Sequence, residues 1–113
     1  MKTEISWNDF EKIDMRVGTI IDAQPFEKAK NPAYKLWIDF GSEIGIRKTS
    51  AQITVLYGID DLIGKQIVAV VNFPPKQIAD FMSECLVLGV VGNDKEVTLL
   101  VPGKAVENGL VIG

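Results

Sequence analysis

Between Lys35 and Phe40 apolar and polar side chains alternate, with Leu36, Ile38 and Phe40 on one face and Lys35, Trp37 and Asp39 on the other. That period of two is the pattern of a strand with one buried face. Met15–Ala23 alternates in part, setting Met15, Val17, Thr19 and Ile21 against Arg16, Gly18, Ile20 and Asp22. Gly18 inside such a pattern predicts a bulge or sharp coil, as a small closed barrel requires. Ile46–Ala51 reads as a third strand, with Arg47 and Lys48 on opposite faces. The runs Gln66–Val71 and Cys85–Val91 are apolar, β-branched-rich and short enough to be buried strands. Glu96–Val101 is β-prone and is followed by a Pro102-Gly103 turn.

Helical signals are brief. Ser6 can cap a short helix ending near Lys12, with Asp9 as a weaker form of the usual Glu at the third position. Trp7, Phe10 and Ile13 give it an apolar face, and a helix this short needs something to pack on. Gly41–Gly45 reads as a turn. From Gln52 to Gly64 the spacing of Ile53, Leu56, Tyr57, Leu62 and Ile63 fits a helical turn or two. The tail Ala105–Gly113 ends apolar and is expected to dock. Five short strands with a helix between the third and fourth is the plan of an all-β OB-fold, a Greek-key barrel. The reading is one domain over residues 1–113, with short helices and terminal extensions that serve dimerisation.

The connector Asn72–Glu84 departs from ordinary loop composition. Asn-Phe-Pro-Pro must end the preceding strand, because two prolines remove two ladder donors. Ile78, Phe81 and Met82 follow, so the segment is either folded back over a core or used as a binding lip.

Composition removes most chemistry. With no histidine and a single cysteine among 113 residues, imidazole-based catalysis, zinc sites and intramolecular disulfides are excluded. Cys85 reads as a small core residue in a reducing, cytoplasmic compartment. No phosphate-binding glycine motif occurs, nor any apolar run near the roughly 18 residues a membrane span needs. The chain reads as a non-enzyme without cofactors. A net charge of −3 argues against indiscriminate nucleic-acid binding but leaves room for a local basic patch. Lys30, Lys35, Arg47, Lys48 and Lys76 supply cations, with Trp37 and Phe73 as stacking partners.

The string Phe10–Ile20, FEKIDMRVGTI, resembles the opening of the tRNA-binding domains related to the C-terminal appendage of methionyl-tRNA synthetase and to endothelial monocyte-activating polypeptide. Asn31–Leu36 is similar to that family's Pro-x-Ala-x-x-Lys-Leu region, without its common Ala-Asp pair. Asn72-Phe73 and Ser83-Glu84 fall where the family carries Asn-Leu and Ser-x-Gly-Met, and Cys85 departs from the latter. Ser50–Thr54 likewise replaces the usual Ser-Gly. These departures, with the strings Ile38–Thr54, Val70–Glu84 and Cys85–Val90, resemble a branch of small stand-alone members described as export-related molecular chaperones. The resemblance implies a cytoplasmic homodimer that binds tRNA and unfolded or precursor polypeptides, with the secretion machinery as a further partner and no membrane insertion. It implies a tRNA site at Lys30, Lys35, Trp37, Arg47, Ser50, Asn72, Lys76 and Ser83. Phe73, Ile78, Phe81 and Met82 would then present a peptide-binding lip.

Overall fold

A computed structural model describes residues 1–113. In chain order the elements are α1 (Trp7–Glu11), β1 (Met15–Pro25), β2 (Tyr34–Asp39), α2 (Gly41–Ile44), β3 (Ile46–Ala51), α3 (Ile59–Leu62), β4 (Gln66–Val70), β5 (Lys76–Ile78), β6 (Phe81–Ser83), β7 (Leu86–Val87), β8 (Gly89–Val91) and β9 (Val97–Leu99). Five strands form an antiparallel sheet in the order β3-β2-β1-β4-β7. The sheet curls until its ends meet: Glu84 N–H donates to Lys48 O at 2.8 Å, and Thr49 Oγ1 donates to Cys85 O at 2.6 Å. This is the five-stranded OB barrel, nearly closed, so few strand edges remain free.

The core is the inward face of that sheet. Leu36, Ile38 and Phe40 are fully buried, as their alternation predicts, and pack with Ile20, Ile67, Ala69 and Leu62. Gly18 serves close approach: a Cβ there would lie 2.6 Å from Ile38 Cγ2 and 2.7 Å from Phe40. The bulge falls three residues later. The β1–β2 register shifts between Ile20 and Asp22, leaving Ile21 unpaired. That single insertion reverses the parity of β1, so Ile20 and Ala23 both reach the core while Ile21 is exposed. The face assigned to Ile21 from alternation alone is corrected accordingly.

Three further expectations change. The helix before β4 is only Ile59–Leu62, started by Gly58 in extended geometry, whose N–H is accepted by Asp61 Oδ2 at 2.9 Å. Tyr57 is held outside it, its carbonyl taken by Tyr34 and its hydroxyl by Leu99 N–H. Cys85–Val91 is not one buried strand: it splits into β7 and β8, with Val90 and Val91 exposed. The connector is not a loop either, since β5 and β6 form a hairpin with Ile78 opposite Phe81.

The C-terminal tail docks as its apolar pattern predicts, by backbone more than by side chain. The tail lies along the outer edge of β1, where Val17 N–H donates to Leu110 O at 3.1 Å and Ile112 N–H to Met15 O at 2.9 Å. Arg16 braces it, reaching Gly109 O at 3.1 Å, Asp14 at 2.6 Å and Glu43 at 2.9 Å. Yet Leu110 and Val111 stay exposed, and α1 buries none of its residues, with Trp7 76% exposed.

Candidate nucleic-acid interface

Strand pairing alone sets the composition of the outer β2–β3 face. Lys35 lies opposite Ser50 and Trp37 opposite Lys48. Directly opposed residues share a face, so two cations and an indole stand together outside the barrel. The β5–β6 hairpin folds across them. Phe81, 6% exposed, meets Phe26 at 5.4 Å and Trp37 at 6.0 Å between ring centroids, both edge-on. Lys35 Nζ lies 5.1 Å and Lys48 Nζ 5.0 Å from its ring centre. These are cation–π distances. Lys28 Nζ pairs with Asp80 Oδ2 at 2.8 Å, tying the β1–β2 loop to the hairpin tip; this contact raises the Lys28 pKa and lowers that of Asp80.

Of the residues assigned to RNA from sequence, Lys35, Trp37 and Ser50 are gathered on this face, and Lys48 joins them. Lys30 is exposed on the neighbouring loop, beside Phe26 and Pro32. Lys76 is exposed at the hairpin base. The other three are engaged inside the molecule. Arg47 spans the barrel mouth, donating to Val71 O at 3.3 Å and Glu84 O at 3.4 Å. Asn72 uses both ends of its amide, donating to Lys12 O at 2.7 Å and accepting Asp14 N–H at 2.9 Å. Ser83 shares a 2.7 Å hydrogen bond with Thr49 and accepts Ser50 N–H at 3.3 Å. Register explains the first case: Arg47 faces Ile38, on the core side of β3, while its neighbour Lys48 faces out. Arg47→Ala should therefore lower stability by about 1–2 kcal/mol, the worth of a charge-assisted donor. It should leave the salt dependence of RNA binding unchanged, as urea denaturation and a salt titration would show.

The peptide lip is also corrected. Phe81 turns inward onto Phe26 and Trp37, with half-buried Ile78 beside it. Met82, one residue on, points to the opposite face of the hairpin and is 40% exposed. Phe73, 56% exposed, lines a cleft of about 400 Å³ with Pro74, Lys76, Ser83, Cys85 and Leu86. A second cleft of about 460 Å³ shares Lys76, Ser83, Cys85 and Leu86 and continues past Ile53 and Ile78 to Val91. Together they make one groove between the hairpin and β7–β8. Leu86, half-exposed there, is a residue the sequence reading missed, because the run Cys85–Val91 looks uniformly buried. Cys85 borders the groove but is chemically quiet: burial pushes its thiol up to about 12, against a smaller opposing contribution from Thr49.

Comparison with known proteins places this geometry. Residues 15–110 match the family described as "Putative tRNA binding domain". The chaperone CsaA of Bacillus anthracis str. Ames has a solved structure 50% identical, covering 98% of this chain and 100% of that one, with a TM-score of 0.94. The CsaA chaperone protein of Picrophilus torridus is 54% identical, covering 97% and 100%, with a TM-score of 0.92. Among curated relatives, the methionine–tRNA ligase of Bacteroides fragilis is 31% identical over 109 residues, 96% of this chain. The chain spans only 16% of that enzyme's length.

Proposed function

The chain belongs to the tRNA-binding domain family, and from that premise we propose that it is a non-catalytic, homodimeric binding protein of the cytoplasm. It takes tRNA on the outer β2–β3 face and extended, unfolded or pre-export polypeptide in the groove beside the hairpin. The observation that carries the RNA reading is the gathering of Lys35, Lys48 and Trp37 on one face under an aromatic cover. Cations for phosphate and an aromatic for bases are the two parts a nucleic-acid surface needs. Because few charges are involved, binding is modest and sensitive to salt. The polypeptide reading rests on the groove, whose exposed Phe73 and Leu86 offer apolar contact without specificity, and on similarity to two CsaA chaperones. By analogy with export-related members, the secretion machinery is a further partner.

The dimer rests on unpartnered apolar surface at both ends of the chain. Ile5 and Trp7 on one side and Leu110 and Val111 on the other are exposed in the single chain, and a two-fold contact would bury them. No helix is long and apolar enough to cross a membrane.

The deciding experiment is competition: an unfolded client should displace labelled tRNA if both lean on the hairpin, and tRNA alone should bind with a salt-dependent affinity. Failure of any tRNA binding at low salt would remove the RNA reading. For the groove, Phe73→Ser with Leu86→Ser should melt within a few degrees of wild type, since both side chains are about half exposed. The variant should nonetheless lose suppression of client aggregation in a light-scattering assay. Retained protection would place the client elsewhere.

A further inference from the structure

We propose that the β5–β6 hairpin is a latched cover over a binding face for unpaired nucleotide bases, with Phe81 seated where such a base would stack. The inference rests on the RNA reading above and adds to it how the face becomes available. Phe81 is buried, yet it belongs to a small cluster with Phe26 and Ala33 that is separate from the barrel core. It offers Trp37 and Phe26 a planar π system and offers Lys35 and Lys48 a ring face within 5.1 Å. An unpaired base stacked on these aromatics, with its phosphates against the two ammonium groups, would satisfy the same four residues. In the closed arrangement that place is taken.

The cover is lightly held. Three residues per strand joined by a two-residue turn fall short of a hairpin that stands alone in water. The turn sets Ala79 at φ 52°, a left-handed conformation that a side chain disfavours. Besides the packing of Phe81 and Ile78 onto Phe26 and Trp37, the tip reaches the body of the protein through one ion pair, Lys28 to Asp80, with side chains 72% and 52% exposed, so solvent and salt weaken it readily. The base is firmer: Ser83 is bonded to Thr49, and Glu84 to both the N–H and the carbonyl of Lys48. A hairpin weak at its tip and fixed at its base opens by pivoting. Pivoting carries Phe81 away and leaves Trp37, Phe26, Lys35 and Lys48 as an open stacking and phosphate-binding face.

Two single substitutions break the latch with opposite changes of charge: Lys28→Gln removes a positive charge and Asp80→Asn a negative one. Each is made in a Trp7→Phe background, so that fluorescence reports Trp37 alone. The latch predicts that both raise acrylamide quenching of Trp37 by about twofold. It also predicts that both tighten binding of a single-stranded oligouridylate 12-mer by about two- to fivefold, as expected when a closed population held by an exposed ion pair is released, without tightening a duplex RNA of equal length. Simple electrostatics predicts the contrary for Lys28→Gln, which should then bind more weakly. Opposite effects of the two variants on affinity, or unchanged quenching, would overturn the latch. Raised quenching with no 12-mer binding would overturn the assignment to unpaired bases. A wild-type protein that still bound tRNA would in that case keep the RNA reading, and loss of tRNA binding as well would remove both.

Discussion

Replacing Lys35 and Lys48 together by alanine should weaken tRNA binding by about tenfold to a hundredfold at low salt. It should also flatten the dependence of log K on log salt by roughly 0.7–0.9 for each phosphate no longer neutralised. The pair follows from strand register. Lys35 and Lys48 stand on the same outer face, two residue pairs apart in the β2–β3 ladder, and both reach the ring of Phe81. Either cation alone leaves the other to hold the backbone, so the double variant is the sharper probe. The side chains are only partly buried and make no ion pair. Melting should therefore shift by no more than a few degrees, reflecting weaker packing of the lysine stems on Phe81. An unchanged slope with unchanged affinity would show these two to be ordinary surface charges.

Phe40→Ala should cost about 3–5 kcal/mol, the range for removing a fully buried aromatic ring. The more informative experiment couples it to Gly18. Alone, Gly18→Ala should cost about 1–3 kcal/mol, because its new methyl would sit 2.7 Å from the Phe40 ring and 2.6 Å from Ile38. In the Phe40→Ala background the ring is gone and the methyl enters part of the cavity, leaving only Ile38 to adjust. The second substitution should then cost little, giving a coupling of about 1 kcal/mol or more in urea denaturation. Additive losses would mean that β1 moves away from β2 to admit the methyl, and that close approach at Gly18 is not what holds the barrel's curvature.

A strand with one uniformly buried face was legible from the order of residues alone. In β2 the spacing of Leu36, Ile38 and Phe40 leaves a single face that hides all three, so element and buried face could be read directly. β4 was legible from composition instead, a short β-branched-rich run buried on both faces, and a helix between the third and fourth strands completes the OB plan. The Ser6–Asp9 cap was equally local, since both partners lie within four residues. Lys35 and Trp37 were legible as outward groups once β2 was placed, whereas Ser50 entered only through the family resemblance.

The remaining features depend on contacts between segments far apart in the chain. Alternation cannot reveal that Ile21 drops out of register, because a bulge is set by the partner strand's curvature. Composition makes Arg47 and Lys48 equivalent cations, yet the barrel mouth offers Arg47 two carbonyls and leaves Lys48 facing outward. Asn72 lies in a segment that reads as a loop, and its amide is spent on residues 58 and 60 positions away. The connector shows the division most clearly. Ile78, Phe81 and Met82 were visible as apolar residues in an unexpected place. The pairing of Ile78 with Phe81 then decided which of them turn toward Phe26 and Trp37 and which stays in water. Hydrophobicity is a property of each residue, whereas burial requires a surface to be buried against, and here that surface comes from β2 and the loop before it, some forty to fifty-five residues earlier in the chain.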